Sequence, residues 1–470
     1  MNYETIQVGI LSNRTIKFVL NGEFTSTYGS TYSGKQKAKI KEGKVFFRDE
    51  SFDEITLNPV TENASFDLID VVIGINFHWE RKENQRFKGS LKFITDEKKL
   101  TAINIIQVEE YLTSVISSEM SATASEELLK AHAVISRSWL LCPIQEAKGN
   151  WQGIRGKEQE VSGKEDEEHE ILQPTTDYKL PTTNSEPHTI QTSNLKHIKW
   201  YERDAHLNFD VCADDHCQRY QGITRANSPS VMSAIEATKG EVLMYDNLIC
   251  DARFSKSCGG ITEAFENCWA PVHFPYLTPV IDNKDAPENF EIDLTSEDNA
   301  ENWIRKSPSA YCNTSDKHIL SQVLNNYDQE TTDFYRWKVE YSQKEISELI
   351  VDKSGIDFGD IIDLIPIKRG ESGRIIELKI IGTKDEIIVG KELEIRKWLS
   401  NTHLYSSAFI VDKSQMTDNI PQHFTLIGAG WGHGVGLCQI GAAVMGEKGY
   451  KYKEILQHYF RGAELKKIYP

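Results

Sequence analysis

VEEYLTSVISSEM (residues 108–120) is the stretch on which the reading of this chain turns. Before it, up to about residue 105, short apolar runs recur at 7–11, 16–20, 44–47, 68–73 and 89–93, with turn signals such as Asn21-Gly22 and Glu42-Gly43 between them. That is an all-β pattern. From Gln107 the period changes, and Tyr111, Leu112, Val115 and Ile116 fall on one face of a helix. Residues 121–124 break the run. Ser125 then suits an N-cap, with Glu126 and Glu127 in a first turn whose dipole favours anions. A second helix over 126–141 follows, with Leu128, Ala131, Ile135 and Trp139 as its apolar stripe and the small Ala131, Ala133 and Ser136 permitting close approach. The spacing predicts a helical hairpin built onto a β-rich region.

The rest of the 470 residues extends an α+β architecture, in which a β-rich region at 1–105 is followed by a second region at 106–470. Residues 145–200, rich in Gly, Glu, Thr, Pro and Asn, read as a polar insertion. A helix is expected over 230–238 and a hairpin around Asp246-Asn247. A helical and β-rich excursion occupies about 285–410, charged and helical to about 350 and stranded at 361–367, 375–381 and 387–389. Two C-terminal helices, 438–447 and 452–460, and a last strand close the chain.

A hydrophobic fraction of 39% with 10% aromatics is that of a folded protein. The formal charge of −17 argues against a nucleic-acid partner, since phosphate binding needs a basic surface. No apolar run approaches the roughly 18 residues of a membrane helix. No basic segment followed by an apolar run and a cleavage site opens the sequence, so no signal peptide is read from it.

Five features carry chemistry. Glu119 ends the first helix at the edge of an apolar surface, where desolvation raises a carboxyl towards general-acid work; an ordinary surface glutamate is the plainer alternative. Arg137 sits among Ala133, Ser136 and Ser138, and either orients a carboxylate or sugar oxygen or forms a salt bridge at the helix surface. His206, Cys212, His216 and Cys217 bring four imidazole and thiol donors within twelve residues, a set suited to a structural zinc. A Cys212–Cys217 disulfide or unbridged thiols remain open. The run GAGWGHGVGLCQIGAA (428–443) has five glycines in nine residues, with Trp431, His433 and Gln439 as a polar and aromatic set for carbohydrate contact. It lacks the Lys-Ser/Thr of a phosphate loop. Finally, Ser257 stands before Cys258 and a double glycine as a ligand-binding hydroxyl; no His/Asp pair accompanies it, and Cys258 reads as a disulfide or buried thiol before it reads as a nucleophile.

Together these segments resemble the SpoIID/LytB family. Val108-Glu-Glu-Tyr-Leu with Ser-Ser-Glu119-Met120, then Glu127-Leu-Leu-Lys-Ala-His-Ala-Val-Ile-Ser-Arg137, resembles its core motif. Arg253-Phe-Ser-Lys-Ser-Cys-Gly-Gly with Glu263 and Trp269 resembles its middle motif, and Gly430-Trp-Gly-His-Gly-Val-Gly through Gln439 and Ala442 its C-terminal one. Ser372-Gly373-Arg374, Val389-Gly390 and Leu404-Tyr-Ser-Ser match the β-rich part between them. The resemblance implies a peptidoglycan lytic transglycosylase, cutting between N-acetylmuramic acid and N-acetylglucosamine in glycan strands stripped of stem peptides. It implies Glu119 as the catalytic residue, Arg137 as the arginine closing that motif, and His206, Cys212, His216 and Cys217 at a zinc position, though the Cys212 to Cys217 spacing departs from the family's by a residue. A non-catalytic wall-binding modifier of an N-acetylmuramoyl-L-alanine amidase is the second expectation, and a zinc hydrolase using residues 206–217 the third. Glycan strands lie outside the inner membrane, so an extracytoplasmic location in the periplasm or cell envelope follows from the substrate.

Overall fold

The computed structural model describes residues 5–73, 81–96, 98–121, 123–147, 196–201, 206–214, 217–224, 228–284, 293–323 and 331–470. The described residues before Val108 lie mostly in strands of one antiparallel, branched sheet, which the short strand Val211–Cys212 joins in parallel beside Val8 and Gly9. Inward-facing Phe18, Phe24, Phe47, Phe66, Phe87 and Phe93 fill that sheet's core. Period-two alternation puts them there, with charged neighbours turned to water.

The Asn21-Gly22 turn expected from the sequence is instead a bulge. One strand, Thr15–Ser26, runs through it with Gly22 at φ 118° and a register shift between Leu20 and Phe24. Glu42-Gly43 is a genuine hairpin turn, both residues having positive φ.

The strand Lys99–Gln107 passes without a break into helix α1 (Val108–Glu119). Helix α2 (Glu126–Ala147) returns alongside it, with Leu128 N–H on Ser125 Oγ at 3.3 Å as the cap. It runs past the expected end at 141. Residues 131–142 are buried on every face, so α2 is a central helix rather than an amphipathic one. One hydrophobic cluster runs from Ile6 and Phe18 through Tyr111 and Leu128 to Ile455 and Phe460, so the sheet and the hairpin share a core.

Next come α3 (Pro229–Ala237), the strand Glu241–Tyr245 paired with Leu248–Ile249 across the Asp246-Asn247 turn, and the one-turn α4 (Phe265–Cys268). The excursion holds α5 (Glu297–Lys306), α6 (Lys317–Val323) and α7 (Gln343–Ser354). The stretch read as helical to about 350 also contains the strand Arg336–Ser342, whose residues pair with the strand Ile420–Ala429. Strands Ile361–Arg369, Ile375–Gly382 and Glu386–Gly390 pack with α8 (Glu392–Trp398) on a separate core of Ile346, Leu378, Ile380 and Ile395. The chain ends in α9 (Gln439–Glu447), α10 (Tyr452–Tyr459) and the strand Glu464–Lys467, which pairs with Glu241–Tyr245. The insertion at 145–200 lies outside the described residues apart from its ends: α2 reaches Ala147, and Lys196–Ile198 pairs with Ile388 to Gly390. No described helix is long and apolar enough to cross a membrane.

Candidate functional site

Glu119 is the last residue of α1 and is partly buried. Just beyond it, Ser121 N–H donates to the Gln322 carbonyl of α6 at 2.9 Å. The buried Gln322 side chain completes a clamp: its Oε1 accepts from Ser125 N–H at 3.1 Å, and its Nε2 donates to Glu447 Oε1 of α9 at 2.5 Å. The next carbonyl of α6, that of Val323, accepts from Lys256 Nζ at 2.6 Å. The end of α1 and the Lys256 ammonium therefore meet at the C-terminal end of α6, where helix carbonyls favour a cation. Nothing local in the sequence of the middle motif distinguishes Lys256 from a surface lysine.

His132, on α2, is fully buried, and burial together with the Lys256 charge pushes its pKa down to about 3. A neutral ring whose Nε2 accepts from Gln439 Nε2 at 3.1 Å leaves the proton on Nδ1, 3.1 Å from Ser136 Oγ. Phe254 packs edge-on against the same imidazole at 4.7 Å. Helix hairpin, middle segment and C-terminal motif thus converge here.

The glycine loop is locked to the middle segment by main-chain bonds. Ser257 and Trp431 exchange N–H···O bonds of 3.0 and 2.8 Å, and Phe254–Ser255 runs parallel to Leu437–Cys438. Gly434 sits at φ 81°, and a Cβ there would lie 2.4 Å from the Arg374 guanidinium carbon. That buried guanidinium donates to the Gly432 and Cys258 carbonyls and to Ser372 Oγ. A side chain in the loop would displace this cation.

Trp431 is half-buried, flanked by Tyr405 at 4.2 Å and Phe334 at 4.6 Å. His433, also half-buried, packs on Trp269 at 5.0 Å and accepts from Val435 N–H at 3.0 Å; desolvation and the nearby Arg253, Arg374 and Arg396 hold it neutral. Gln439 and Ser257 lie below the surface, Ser257 wholly so with its Oγ unpaired. These two therefore shape the site from beneath and present no face to a large ligand.

Arg137 is fully buried and is not on a helix surface. Its guanidinium forms a fork with Glu109 at 3.0 and 2.6 Å and donates to the Glu241 carbonyl at 2.9 Å. It ties α1 to α2, without an open side towards a substrate oxygen.

A second carboxyl stands out. Glu263 is fully buried, and burial raises its pKa to about 7 against hydrogen bonds from Ser372 and Asn267. Ser372 Oγ donates at 2.5 Å and Asn267 Nδ2 at 2.8 Å, so its acceptors are already committed. A Cβ on Gly370 would strike this carboxylate at 2.4 Å, which is the reason for a glycine there.

The His206–Cys217 cluster is anchored on the sheet edge. His206 Nε2 lies 3.3 Å from Cys217 Sγ, Cys212 N–H donates to the same sulfur at 3.4 Å, and the donor atoms of His206, Cys212 and Cys217 all lie within 4.8 Å of one another. One imidazole and two thiols at that separation fit a tetrahedral zinc with a fourth ligand to come. His216 lies outside the described residues. No disulfide joins Cys212 to Cys217 or any other pair of the eight cysteines.

A helix hairpin mounted on a sheet thus carries a partly buried glutamate at its turn, and a glycine loop is laced to a Ser-Cys-Gly-Gly strand end. Residues 96–183 and 188–245 match the family described as stage II sporulation protein, and residues 263–436 match a domain of unknown function, DUF8618. An uncharacterized protein of Brachyspira hyodysenteriae is 23% identical over 98% of this chain and 85% of its own length. The stage II sporulation protein D of Bacillus amyloliquefaciens is 23% identical over 77% of this chain and 75% of its own. The amidase enhancer of Bacillus subtilis is 27% identical over 49% of this chain, which spans only 32% of that relative's length. The chain carries a SpoIID/LytB-family region.

Proposed function

We propose that this protein is a peptidoglycan lytic transglycosylase with Glu119 as its one general acid and base. Supporting the reading, Lys256 bonds the α6 carbonyl next to the one that accepts from Ser121 N–H just past the partly buried Glu119, and its charge reaches His132, whose ring contacts Gln439 of the C-terminal motif. Glycosidases that use water need two carboxylates flanking the bond. Here Glu263, a carboxyl that burial raises towards neutrality, is sealed in the core with its oxygens occupied. A single acid suffices when the nucleophile is the substrate's own. Glu119 protonates the departing glycosidic oxygen. Its carboxylate then takes the proton of the muramic acid 6-hydroxyl as that oxygen closes on C1, giving the 1,6-anhydro ring. Trp431 and His433 offer a half-open aromatic and polar face for a sugar. Lys256 acts as a positioning residue at the end of α6, and Arg137 through the packing of α1.

A zinc held by His206, Cys212 and Cys217, with His216 as fourth ligand, would supply structural bracing of that loop and no step of the reaction. The action lies outside the inner membrane, on glycan strands freed of stem peptides. The match to an amidase enhancer favours a second reading, a wall-bound modifier of an amidase without lytic activity. Mass spectrometry of peptide-free glycan strands after incubation with the protein separates the two. Anhydro-muramyl products that vanish in Glu119→Gln support the enzyme; intact strands with both proteins refute it.

A further inference from the structure

Four buried side chains outside the proposed reaction meet at one point. Cys258 follows the strand Phe254–Ser255, Asp282 follows Ile281, Cys312 lies between α5 and α6, and Cys438 caps α9. They are 2%, 0%, 0% and 0% exposed, and their three sulfurs and one carboxylate oxygen all lie within 4.8 Å of one another. We infer that these four residues form a closed site for a single zinc-class divalent cation, distinct from the His206 cluster.

The sulfur spacing is the first argument. Cys258 Sγ and Cys312 Sγ are 3.6 Å apart, far beyond the ~2.05 Å of a disulfide bond. Two thiolates about 2.3 Å from a zinc at a tetrahedral angle stand about 3.8 Å apart. An iron–sulfur cluster, which interposes several atoms between its ligands, would need wider spacing.

Around the donors lies a supporting shell. Cys258 N–H points at Cys438 Sγ at 3.2 Å, and Gly260 N–H at Cys258 Sγ at 3.4 Å. Gly259 and Gly260, at φ 78° and 111°, turn the chain so that this N–H faces the sulfur. Asp282 accepts from Tyr459 O–H at 2.6 Å and from Cys312 N–H at 2.8 Å, which orients its carboxylate.

Charge is the third argument. Among the described residues, Asp282 has no ion pair although it is fully buried. Nearby, the Arg336 guanidinium donates to the carbonyls of Gly259, Tyr335, Ile304 and Trp303 and pairs with no described carboxylate. Three thiolates and a carboxylate around a divalent cation leave two negative charges, which this arginine partly offsets. Binding is an exchange in which one divalent ion enters and whatever protons the donor groups carry leave to solvent. Soft thiolates select zinc over magnesium or calcium. With every position taken by protein, the ion would be structural, pinning the Ser257–Gly260 turn to the head of α9 and so holding the glycine loop between them.

The test uses the full chain carrying Cys212→Ser and Cys217→Ser, which empties the other cluster and leaves this one untouched. One zinc per purified chain, with X-ray absorption showing about three sulfurs at about 2.3 Å and one lighter neighbour, is expected. After chelation, cobalt(II) should restore one equivalent with thiolate charge-transfer bands and tetrahedral visible bands. Adding Cys312→Ser should remove the equivalent or lower the sulfur count by one. A chain that holds no zinc and gives no thiolate bands with cobalt overturns the inference. So does an alkylated, denatured chain lighter by two hydrogens, with Cys258 and Cys312 recovered as a disulfide.

Discussion

His132 and Gln439, 307 positions apart in the chain, lie 3.1 Å from each other in a site with no access to water. That contact sets the imidazole tautomer, and it binds the central helix to the helix that follows the glycine loop. A buried ring kept neutral by desolvation cannot serve as a base near neutrality. In the proposed reaction the acid–base work therefore falls to Glu119 at the end of α1.

Replacing Glu119 by Gln should lower anhydro-product formation by at least about 10²-fold while the melting temperature stays near wild type. Product quantified on purified glycan strands checks it. Retained turnover would move the chemistry elsewhere.

Arg137→Met should destabilise the fold by about 3–5 kcal/mol, because it strands the Glu109 carboxylate beside a buried site. Adding Glu109→Gln should recover a good part of the loss. Urea denaturation of both variants decides it, and a double variant no better than the single one would show that the ion pair is not the cause.

Lys256→Met removes the charged donor from the Val323 carbonyl, and a loss of about 1.5–3 kcal/mol is expected. Lys256→Arg should restore part of it. If the lysine positions the end of α1, kcat should fall more than KM rises; equal stability and kinetics in the Met variant would remove Lys256 from the site.

Glu263 has a folded pKa raised to about 7 from an ordinary 4.5, chiefly by burial. The folded state then holds a proton that the unfolded chain has released. The group's contribution is full below 4.5 and is lost as pH climbs through 7. Glu263→Gln, which keeps a neutral side chain at every pH, should gain relative to wild type between pH 4.5 and 7 and hold a constant difference above that. Denaturation midpoints across this range test the sign. A difference that does not vary with pH would place the carboxyl's titration outside the window.

Trp431→Ala should weaken glycan binding by up to about tenfold, the scale of one aromatic contact, with the fold retained. Its ring is half-open, and its neighbours Tyr405 and Phe334 already flank it. Calorimetry with short glycan strands would show the change, and unaltered affinity would exclude this face.

Much of the architecture was legible because it rests on local periodicity. The hairpin at 108–141, the Asp246-Asn247 turn and the C-terminal helices follow from spacing, caps and turn residues. Asn21-Gly22 misled because a positive-φ glycine serves a bulge as well as a turn, and only the partner strand decides which. For Arg137 the sequence leaves both an inward role on a carboxylate or sugar oxygen and a surface salt bridge open, since two-dimensional helix faces do not show a helix enclosed on all sides. Lys256, Glu263 and the cysteines at 258, 312 and 438 acquire their surroundings from segments far away in the chain. Such non-local proximity leaves no trace in spacing.

The unbroken passage from Lys99–Gln107 into α1 makes the amino-terminal strands the footing of the machine rather than an attachment. A helix of twelve residues is a rod about 18 Å long, and its far tip bears Glu119. Any tilt of the platform is magnified at that tip, and because the sheet shares its core with the hairpin, trimming the leading strands would disturb the seat of Glu119 and the packing of both together.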